Sequence, residues 1–278
     1  MSYLSRIDHA FSDAPVLPLS ENGRYVLFSD CHRGIGTSND NFLKNQHLYF
    51  AALNYYYQHS FCYIELGDGD ELWENRSFSA IQNIHSNVFW LLSLFYEEHR
   101  LFMLFGNHDI AKKDFHPFSD CCFHEGLRLK DCVTGQELYL THGHQADFFN
   151  STLWRLSCFL VRYLWKPLEQ FGVLDPTSAA KNYKAKNKTE RRLQEWTKLY
   201  KKILITGHTH RPVLGSKDSL YFNTGSCVHP RCITCIELVH RELSLVKWTL
   251  STKPDRTLFV AREVLAGPVG LDDLLKYS

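Results

Sequence analysis

Short hydrophobic runs, each followed by polar or glycine residues, recur along most of the chain. The runs are rich in β-branched and aromatic residues, which is typical of buried strands. The runs and the residues that follow them are Tyr25–Ser29 before Asp30, Cys62–Leu66 before Gly67-Asp68, Leu101–Phe105 before Gly106-Asn107-His108-Asp109, Leu138–Thr141 before His142, Ile203–Thr206 before Gly207-His208, and Leu220–Phe222 before Asn223. We therefore predict a set of strands whose carboxyl ends carry the reactive side chains.

Helical periodicity separates the early strands. Apolar residues at three- and four-residue spacing predict helices over Phe42–Gln58 and Ile81–His99. The alternation of strand and helix favours an α/β fold with helices on the sheet faces, in which ligands collect at the carboxyl ends of the strands. The strand-rich stretch Tyr221–Trp248 has short connections and predicts a second, largely antiparallel sheet.

Residues 148–202 interrupt this alternation. They contain two helical patterns, Thr152–Phe171 and Ser178–Lys201, joined by the helix-breaking segment Gly172–Pro176. We predict an inserted helical cap over 148–202, with residues 1–147 and 203–278 forming the catalytic domain. The predicted cap holds 12 Lys and Arg against 4 Asp and Glu, although the whole chain has a formal net charge of only +1. We therefore expect a basic cap on a catalytic domain that carries a net negative charge.

Composition indicates a globular protein of 278 residues, with 44% hydrophobic and 22% charged residues. The nine cysteines are odd in number and irregularly spaced, and residues 1–30 contain no apolar segment of the secretory type. We expect reduced thiols in a cytoplasmic protein. The most apolar run, Leu153–Trp165, is too short to span a bilayer and contains Arg155 and Arg162. Any membrane contact is therefore expected to be peripheral and to use the cap.

The strand ends together supply carboxylate, imidazole and amide groups. The proposed ligands are Asp30, His32, Asp68, Asn107, His142, His208 and His210. Seven side chains are too many for one tetrahedral ion and are suited to two ions that share a bridging carboxylate. Donors of this kind suit Mn²⁺, Fe or Zn²⁺. Because alternate residues of an extended chain face one side, Asp30 and His32 are expected to face the ions together, with Cys31 turned away.

These blocks resemble the signature of the calcineurin-like metallophosphoesterase superfamily, which is D-x-H, G-D, G-N-H-[DE], H and G-H-x-H. The resemblance runs from Asp30 to His210 and implies a four-layer αββα sandwich with two divalent ions, Mn²⁺ above all. It implies one ion on Asp30, His32 and His210, and the other on Asn107, His142 and His208. Asp68 would bridge the ions, and a hydroxide between them would attack phosphorus. His108, oriented by Asp109, would face the substrate as the acid.

The substrate class is indicated by the residues around these blocks. The protein Ser/Thr phosphatases carry G-D-x-V-D-R-G, and the arginine of that motif is missing from Gly67–Trp73. The patterns G-D-x-x-E-x-W and G-H-T-H-R-P resemble the UDP-2,3-diacylglucosamine pyrophosphatases, whose cap joins an apolar acyl-binding face to a basic helix. This implies substrate contacts at Lys184, Asn187, Lys188 and Arg191, together with Asn107 and His108. The chain departs from those enzymes at His108, where they carry arginine, and at His144, where they carry aspartate.

Two classes of function remain open from the sequence. The first is a dimetal hydrolase that cleaves a phosphodiester or pyrophosphate bond. Its substrate would be a phosphorylated small-molecule, nucleotide-linked or lipid-linked compound. The alternative within this class is a phosphomonoesterase or protein-phosphatase-like enzyme. The second is a metal-bound, non-catalytic scaffold whose cap binds a partner. Nucleic acid is not expected, because the chain has no long basic groove interleaved with aromatic residues.

Overall fold

Two β-sheets carry the strand ends that the sequence predicts to be reactive. The computed structural model describes residues 1–37, 40–114, 123–165 and 183–275 and shows a mixed α/β fold. The strands are β1 Val16–Leu19, β2 Arg24–Phe28, β3 Cys62–Leu66, β4 Leu101–Leu104, β5 Phe123–His124, β6 Gly126–Asp131, β7 Glu137–Thr141, β8 Ile203–Thr206, β9 Tyr221–Asn223, β10 Cys232–Val239, β11 Glu242–Thr252 and β12 Leu258–Gly270.

The helices lie mainly between the early strands and in the region predicted as a cap. They are α1 Tyr3–His9, α2 Gln46–Gln58, α3 Phe78–Ile84, α4 Ser86–Glu97, α5 Phe148–Ser151, α6 Trp154–Leu160, α7 Tyr183–Tyr200 and α8 Leu271–Leu275. A π-helical turn, Val161–Trp165, follows α6. The predicted segment Gly172–Pro176 lies outside the described residues. Within the described part of the chain, no helix is both long and apolar enough to cross a membrane.

The sheet order corrects one prediction. The seven-stranded sheet has the order β12-β11-β10-β2-β3-β4-β5, and the five-stranded sheet has the order β1-β6-β7-β8-β9. The antiparallel strands β10, β11 and β12 extend the first sheet, because β10 pairs with β2 through Leu238 opposite Tyr25. The expectation of a separate antiparallel sheet was therefore wrong. Local alternation identifies a strand but does not identify its partner.

Three hydrophobic clusters connect these elements. The first packs α2 and α4 against the seven-stranded sheet, and Tyr56 is one of its members. The second lies between the two sheets and joins Leu27 of β2 to Ile205 of β8. The third packs α1 and the second half of α7 against the five-stranded sheet through Ile7 and Trp196. The two sheets are therefore held face to face, and α7 is fixed to the second sheet at its carboxyl-terminal half.

Trp196 provides a test of this packing. Its ring contacts Phe11 and Tyr139, and its Nε1–H donates to Asp8 Oδ1 at 2.8 Å. We expect Trp196→Ala to lower the free energy of unfolding by about 3–5 kcal/mol, because the cavity it leaves cannot fully close. Urea denaturation would measure the loss. Trp90→Ala is the control, since Trp90 is 58% exposed and should change stability by no more than about 0.5 kcal/mol. Equal losses in the two variants would contradict the packing described.

Candidate metal centre

Loops at the carboxyl ends of both sheets converge on one pocket. The loops after β2 and β3 are joined by backbone hydrogen bonds from Asp30 N to Gly67 O at 3.1 Å and from His32 N to Asp68 O at 2.9 Å. The connection to the second sheet is made by His208, whose backbone N–H donates to Asp30 Oδ2 at 2.9 Å. The pocket therefore depends on the two sheets being packed together.

The backbone at the pocket is left-handed rather than extended. Positive φ angles between 48° and 67° occur at five of the seven ligand candidates, namely Asp30, His32, Asp68, His208 and His210. The expectation that alternate residues of an extended chain place these side chains was therefore wrong in its geometry, although Cys31 is buried as expected. Asp and His tolerate this conformation better than most residues. The hydrogen bonds between the loops hold the backbone there.

Two glycines allow the strand ends to approach each other. Gly67 has a φ of +90°, and a Cβ at this position would lie 2.5 Å from Gly106 N. A Cβ at Gly106 would lie 2.2 Å from Asp68 Oδ1. A side chain at either position would push the loops apart, so both glycines are required for the position of Asp68.

The first ligand cluster comprises Asp30, His32 and His210. Their ligand atoms all lie within 4.8 Å of one another. His210 Nε2 lies 3.0 Å from Asp30 Oδ1, and His32 Nε2 lies 3.3 Å from His210 Nε2. These are the three residues that the sequence resemblance groups around one ion.

The second cluster comprises Asp68, His142 and His208, whose ligand atoms also lie within 4.8 Å of one another. His142 Nε2 is 3.1 Å from Asp68 Oδ2. The same Asp68 oxygen lies 3.9 Å from His32 Nε2 in the first cluster, while Asp68 Oδ1 accepts from His108 N at 2.8 Å. One oxygen of Asp68 is thus fixed by backbone, and the other faces both clusters.

Hydrogen bonds outside the clusters orient the imidazoles. His142 Nδ1–H donates to the Leu66 carbonyl at 2.8 Å, and His32 Nδ1–H donates to Glu71 Oε2 at 2.9 Å. Each bond engages Nδ1–H and directs Nε2 toward the pocket. Ligand histidines in metal sites are usually held in this way.

Glu71 also determines the position of His108. Its Oε1 accepts from His108 Nδ1 at 2.8 Å, and the His108 ring stacks on Trp73 with centroids 4.3 Å apart. Asp109 was expected to orient His108, and this expectation was wrong. One carboxylate therefore holds both a ligand candidate, His32, and the candidate acid. The only sequence signal for Glu71 is its position three residues after Asp68.

The carboxylate of Asp109 instead belongs to the loop below the pocket. It accepts from the backbone N–H of Gly106 at 2.7 Å and of Gly69 at 3.0 Å. The Lys112 ammonium lies 2.8 Å from Asp109 and 2.5 Å from Asp70, and all three side chains are fully buried. Burial lowers the pKa of Lys112, but the charges of Asp109 and Asp70 outweigh this and raise it.

The same buried network contains Arg33. It donates two hydrogen bonds of 2.9 Å to Glu65 and two, of 2.7 and 3.3 Å, to Asp70. Glu65, Asp70 and Asp109 could by composition hold a metal. Here, two protein cations already compensate the three carboxylates. Removing one member of such a network leaves a buried charge without a partner. The network therefore fixes the loop of Asp68 rather than providing a third ion site.

The two ligand clusters fit divalent cations. Asp30 Oδ1, Asn107 Oδ1, His142 Nε2 and His208 Nε2 are buried without a hydrogen bond of acceptable geometry. Buried polar atoms normally have a partner, so four such atoms around two adjacent clusters indicate positions for ions. The donors are oxygen and nitrogen atoms, which suits borderline and hard cations.

Two further polar residues at the second cluster were not predicted from the sequence. Asp147 Oδ2 lies 3.9 Å from His208 Nε2, and this carboxylate also caps α5 by accepting from Phe149 N at 3.0 Å. The ring of His144 lies 5.5 Å from that of His142, and its Nδ1 is buried without a hydrogen bond. Burial lowers the pKa of His144 well below its usual value. Nothing local in the sequence separates these residues from an ordinary helix cap and a loop histidine.

The predicted substrate residues of α7 are distributed over different faces of the helix. Lys184 and Lys188 are exposed. Arg191 is exposed and pairs with Glu195 at 3.5 Å. Asn187 faces the body of the protein, where its Oδ1 accepts from Arg211 Nη2 at 3.2 Å. This hydrogen bond links Asn187 to the segment that carries His210.

Comparisons with known proteins add little to this geometry. No protein-family model matches the chain. No curated protein matches it. Among solved structures, the chain is similar to Vps29 from Chaetomium thermophilum with a TM-score of 0.38 and 12% sequence identity, over 87% of this chain and 96% of that chain.

The protonation of the ligands provides a test for the centre. Burial lowers the pKa of His32, but Glu71 opposes this, and the pKa is raised to about 10. Burial also lowers the pKa of His142, but Asp68 opposes this, and the pKa is raised to about 9. Raised values mean that the metal-free protein holds both protons near neutral pH and that bound cations must displace them. We therefore expect release of about two protons per chain at about pH 7.5, and metal affinity that increases with pH up to about 10, the higher of the two pKa values.

Calorimetric titration of Mn²⁺ in buffers of different ionisation enthalpy counts these protons. His99→Ala, on the exposed surface, serves as the control and should release the same number. Binding without proton release and without pH dependence would contradict the assignment of His32 and His142 as ligands.

Proposed function

We propose that this protein is a dimetal-dependent phosphoesterase of the calcineurin-like type. The observation that carries the proposal is the single Asp68 oxygen that faces two clusters of oxygen and nitrogen donors. Two divalent cations held there would activate water and compensate the charge of phosphoryl oxygens. We propose Mn²⁺ rather than Fe or Zn²⁺ as the resident cation. The four-layer αββα arrangement is part of the proposal and is supported by the three hydrophobic clusters.

The protein's own groups then have distinct tasks. Asp30, His32 and His210 would hold one cation, and Asn107, His142 and His208 the other, with Asp68 between them. The amide of Asn107 and the imidazole of His108 would contact the phosphoryl oxygens as negative charge develops on them. The roles of the carboxylates and imidazoles rest on the clustering of these side chains and on the resemblance of their motifs. The role of Asn107 rests on its motif and on its buried Oδ1, which has no hydrogen bond.

His108 is suited to act as the acid. Burial lowers its pKa, but the charges of Glu71 and Asp68 outweigh this and raise the pKa above its usual value. The raised pKa favours the imidazolium form, which can donate to the leaving oxygen. Its Nδ1–H is held by Glu71, which directs Nε2 away from that carboxylate. Stacking on Trp73 limits the ring to this orientation.

For the substrate, we propose a phosphodiester or pyrophosphate bond in a nucleotide-linked or lipid-linked compound, similar to that of the UDP-2,3-diacylglucosamine pyrophosphatases. The apolar residues Leu156, Phe159 and Leu164 are exposed around α6. These side chains support contact with an apolar part of the substrate or with a membrane surface. A cytoplasmic, peripherally bound protein fits this substrate class.

The test of the proposal is hydrolysis by Mn²⁺-loaded protein of bis(p-nitrophenyl) phosphate and of p-nitrophenyl phosphate, followed by absorbance. We expect turnover, with the diester preferred. Asp68→Ala should bind at least one ion fewer by elemental analysis and lose turnover, because the shared oxygen is gone. Full metal occupancy without turnover of either ester would instead establish the second candidate function, a metal-bound scaffold. Preference for the monoester would establish a phosphomonoesterase.

Replacement of His108 separates acid catalysis from metal binding. We expect His108→Ala to keep its metal content and to reduce kcat by about 10²–10⁴-fold, which is the usual contribution of a positioned acid. Steady-state kinetics with bis(p-nitrophenyl) phosphate would measure the loss. His99→Ala, which changes an exposed histidine, is the matched control. Full turnover in His108→Ala would remove the acid role from this residue.

A further inference from the structure

The two ligand clusters differ in the number of their carboxylates. The first contains Asp30, whereas the second contains two imidazoles and Asp68, whose free oxygen also faces the first cluster. The first cluster has a further carboxylate beside it, because Glu71 accepts from His32 Nδ1 at 2.9 Å. Imidazoles bind cations in their neutral form and contribute no negative charge. A divalent ion in the second cluster therefore has less negative charge among its ligands.

Asp147 brings a carboxylate to the second cluster. Its Oδ2 lies 3.9 Å from Nε2 of His208, and the two side chains are 13% and 4% exposed. His208 Nε2 is buried without a hydrogen bond. A distance of 3.9 Å is too long for a hydrogen bond, so the carboxylate acts here through its charge. Because both groups are largely buried, solvent and salt screen this charge weakly.

Neutral groups hold the carboxylate of Asp147. Its Oδ1 accepts from Phe149 N at 3.0 Å, and its Oδ2 accepts from Asn150 Nδ2 at 2.8 Å. In the part of the chain that the structure describes, no Lys or Arg forms an ion pair with Asp147 within 4.0 Å. The buried carboxylate of Asp70, by contrast, is paired with Arg33 at 2.7 Å. A largely buried carboxylate without a cation is costly, so a metal ion would compensate the charge of Asp147.

Two arginines from different helices hold the backbone that precedes Asp147. Arg6 of α1 donates from Nε to the Gln145 carbonyl at 2.8 Å, and Arg192 of α7 donates from Nη1 to the Ala146 carbonyl at 2.7 Å. These bonds tie the loop to both helices. The carboxylate therefore has a fixed place beside the cluster, as groups that support metal ligands require.

We propose that Asp147 is a positioning residue for the second cation, which it holds through His208 by supplying the negative charge that this cluster lacks. Glu71 has the corresponding place beside His32 in the first cluster. Groups that surround metal ligands in this way usually change metal affinity by about 10–100-fold. The inference rests on the dimetal centre of the proposed function and concerns how that centre retains its second ion.

Titration of the full chain with Mn²⁺ alone tests the role of Asp147. Calorimetry gives the two Kd values, and His142→Ala, which removes a ligand of the second cluster, shows which value belongs to that cluster. We expect Asp147→Asn to raise the Kd of the second ion at least about tenfold and to leave the Kd of the first unchanged. Electron paramagnetic resonance should show isolated Mn²⁺ in place of the spin-coupled pair at two equivalents of metal.

Further substitutions separate the charge of Asp147 from its hydrogen bonds. Asp147→Ser keeps an acceptor for Phe149 N–H without the charge and should resemble Asp147→Asn. Asp147→Glu returns the charge and should recover most of the affinity. Asp218→Asn removes a carboxylate from an exposed turn and should leave both Kd values unchanged. The thermal midpoint of each metal-free variant shows whether the loop remains folded.

The outcomes separate this inference from the proposed function. Unchanged Kd values in Asp147→Asn, or equal weakening of both ions, would overturn the role of Asp147. If the unmodified protein hydrolysed bis(p-nitrophenyl) phosphate in that case, the phosphoesterase proposal would stand alone. Selective weakening of the second ion, in a protein that hydrolyses no ester, would support the role of Asp147 and overturn the hydrolase.

Discussion

Burial of negative charge at the ends of the strands is the constraint on which the rest of the structure depends. A carboxylate without water is stable only when a cation or several N–H groups compensate it. The inner carboxylates, such as Asp70 and Asp109, are compensated by Arg33 and Lys112. The outer ones, including Asp68, face imidazoles, and the charge of Asp68 raises the pKa of His142. The protein therefore supplies its own cations below the pocket, whereas the candidate clusters above it could hold metal ions.

The centre is shared between two sheets, and this links its geometry to the core. His208 reaches Asp30 only because the cluster between the sheets holds β2 and β8 face to face. The helix α7 extends the same arrangement outward, since Trp196 fixes its second half to the five-stranded sheet while its first half lies over Arg211. The candidate metal centre and the candidate acid His108 are thus positioned by one packed body.

Much of the fold and the site could be predicted from local sequence. The strands that precede Asp30, Asp68, Asn107, His142 and His208 are all present, because short apolar runs bounded by glycine and polar residues are typical of buried strands. The chemical type of the candidate metal ligands could likewise be predicted from the sequence. The pairing of β10 with β2 was not, since alternation does not encode a partner.

The sequence by itself determined which donor groups exist and that strand ends carry them, because side-chain chemistry and hydrophobic period are local properties. Only the tertiary structure decided which groups meet. It placed the His108 ring against Glu71 rather than against its neighbour Asp109, and it placed Asn187 against Arg211. The physical reason is that left-handed loop conformations and contacts across many residues set the direction of a side chain, and no local pattern in the sequence records them.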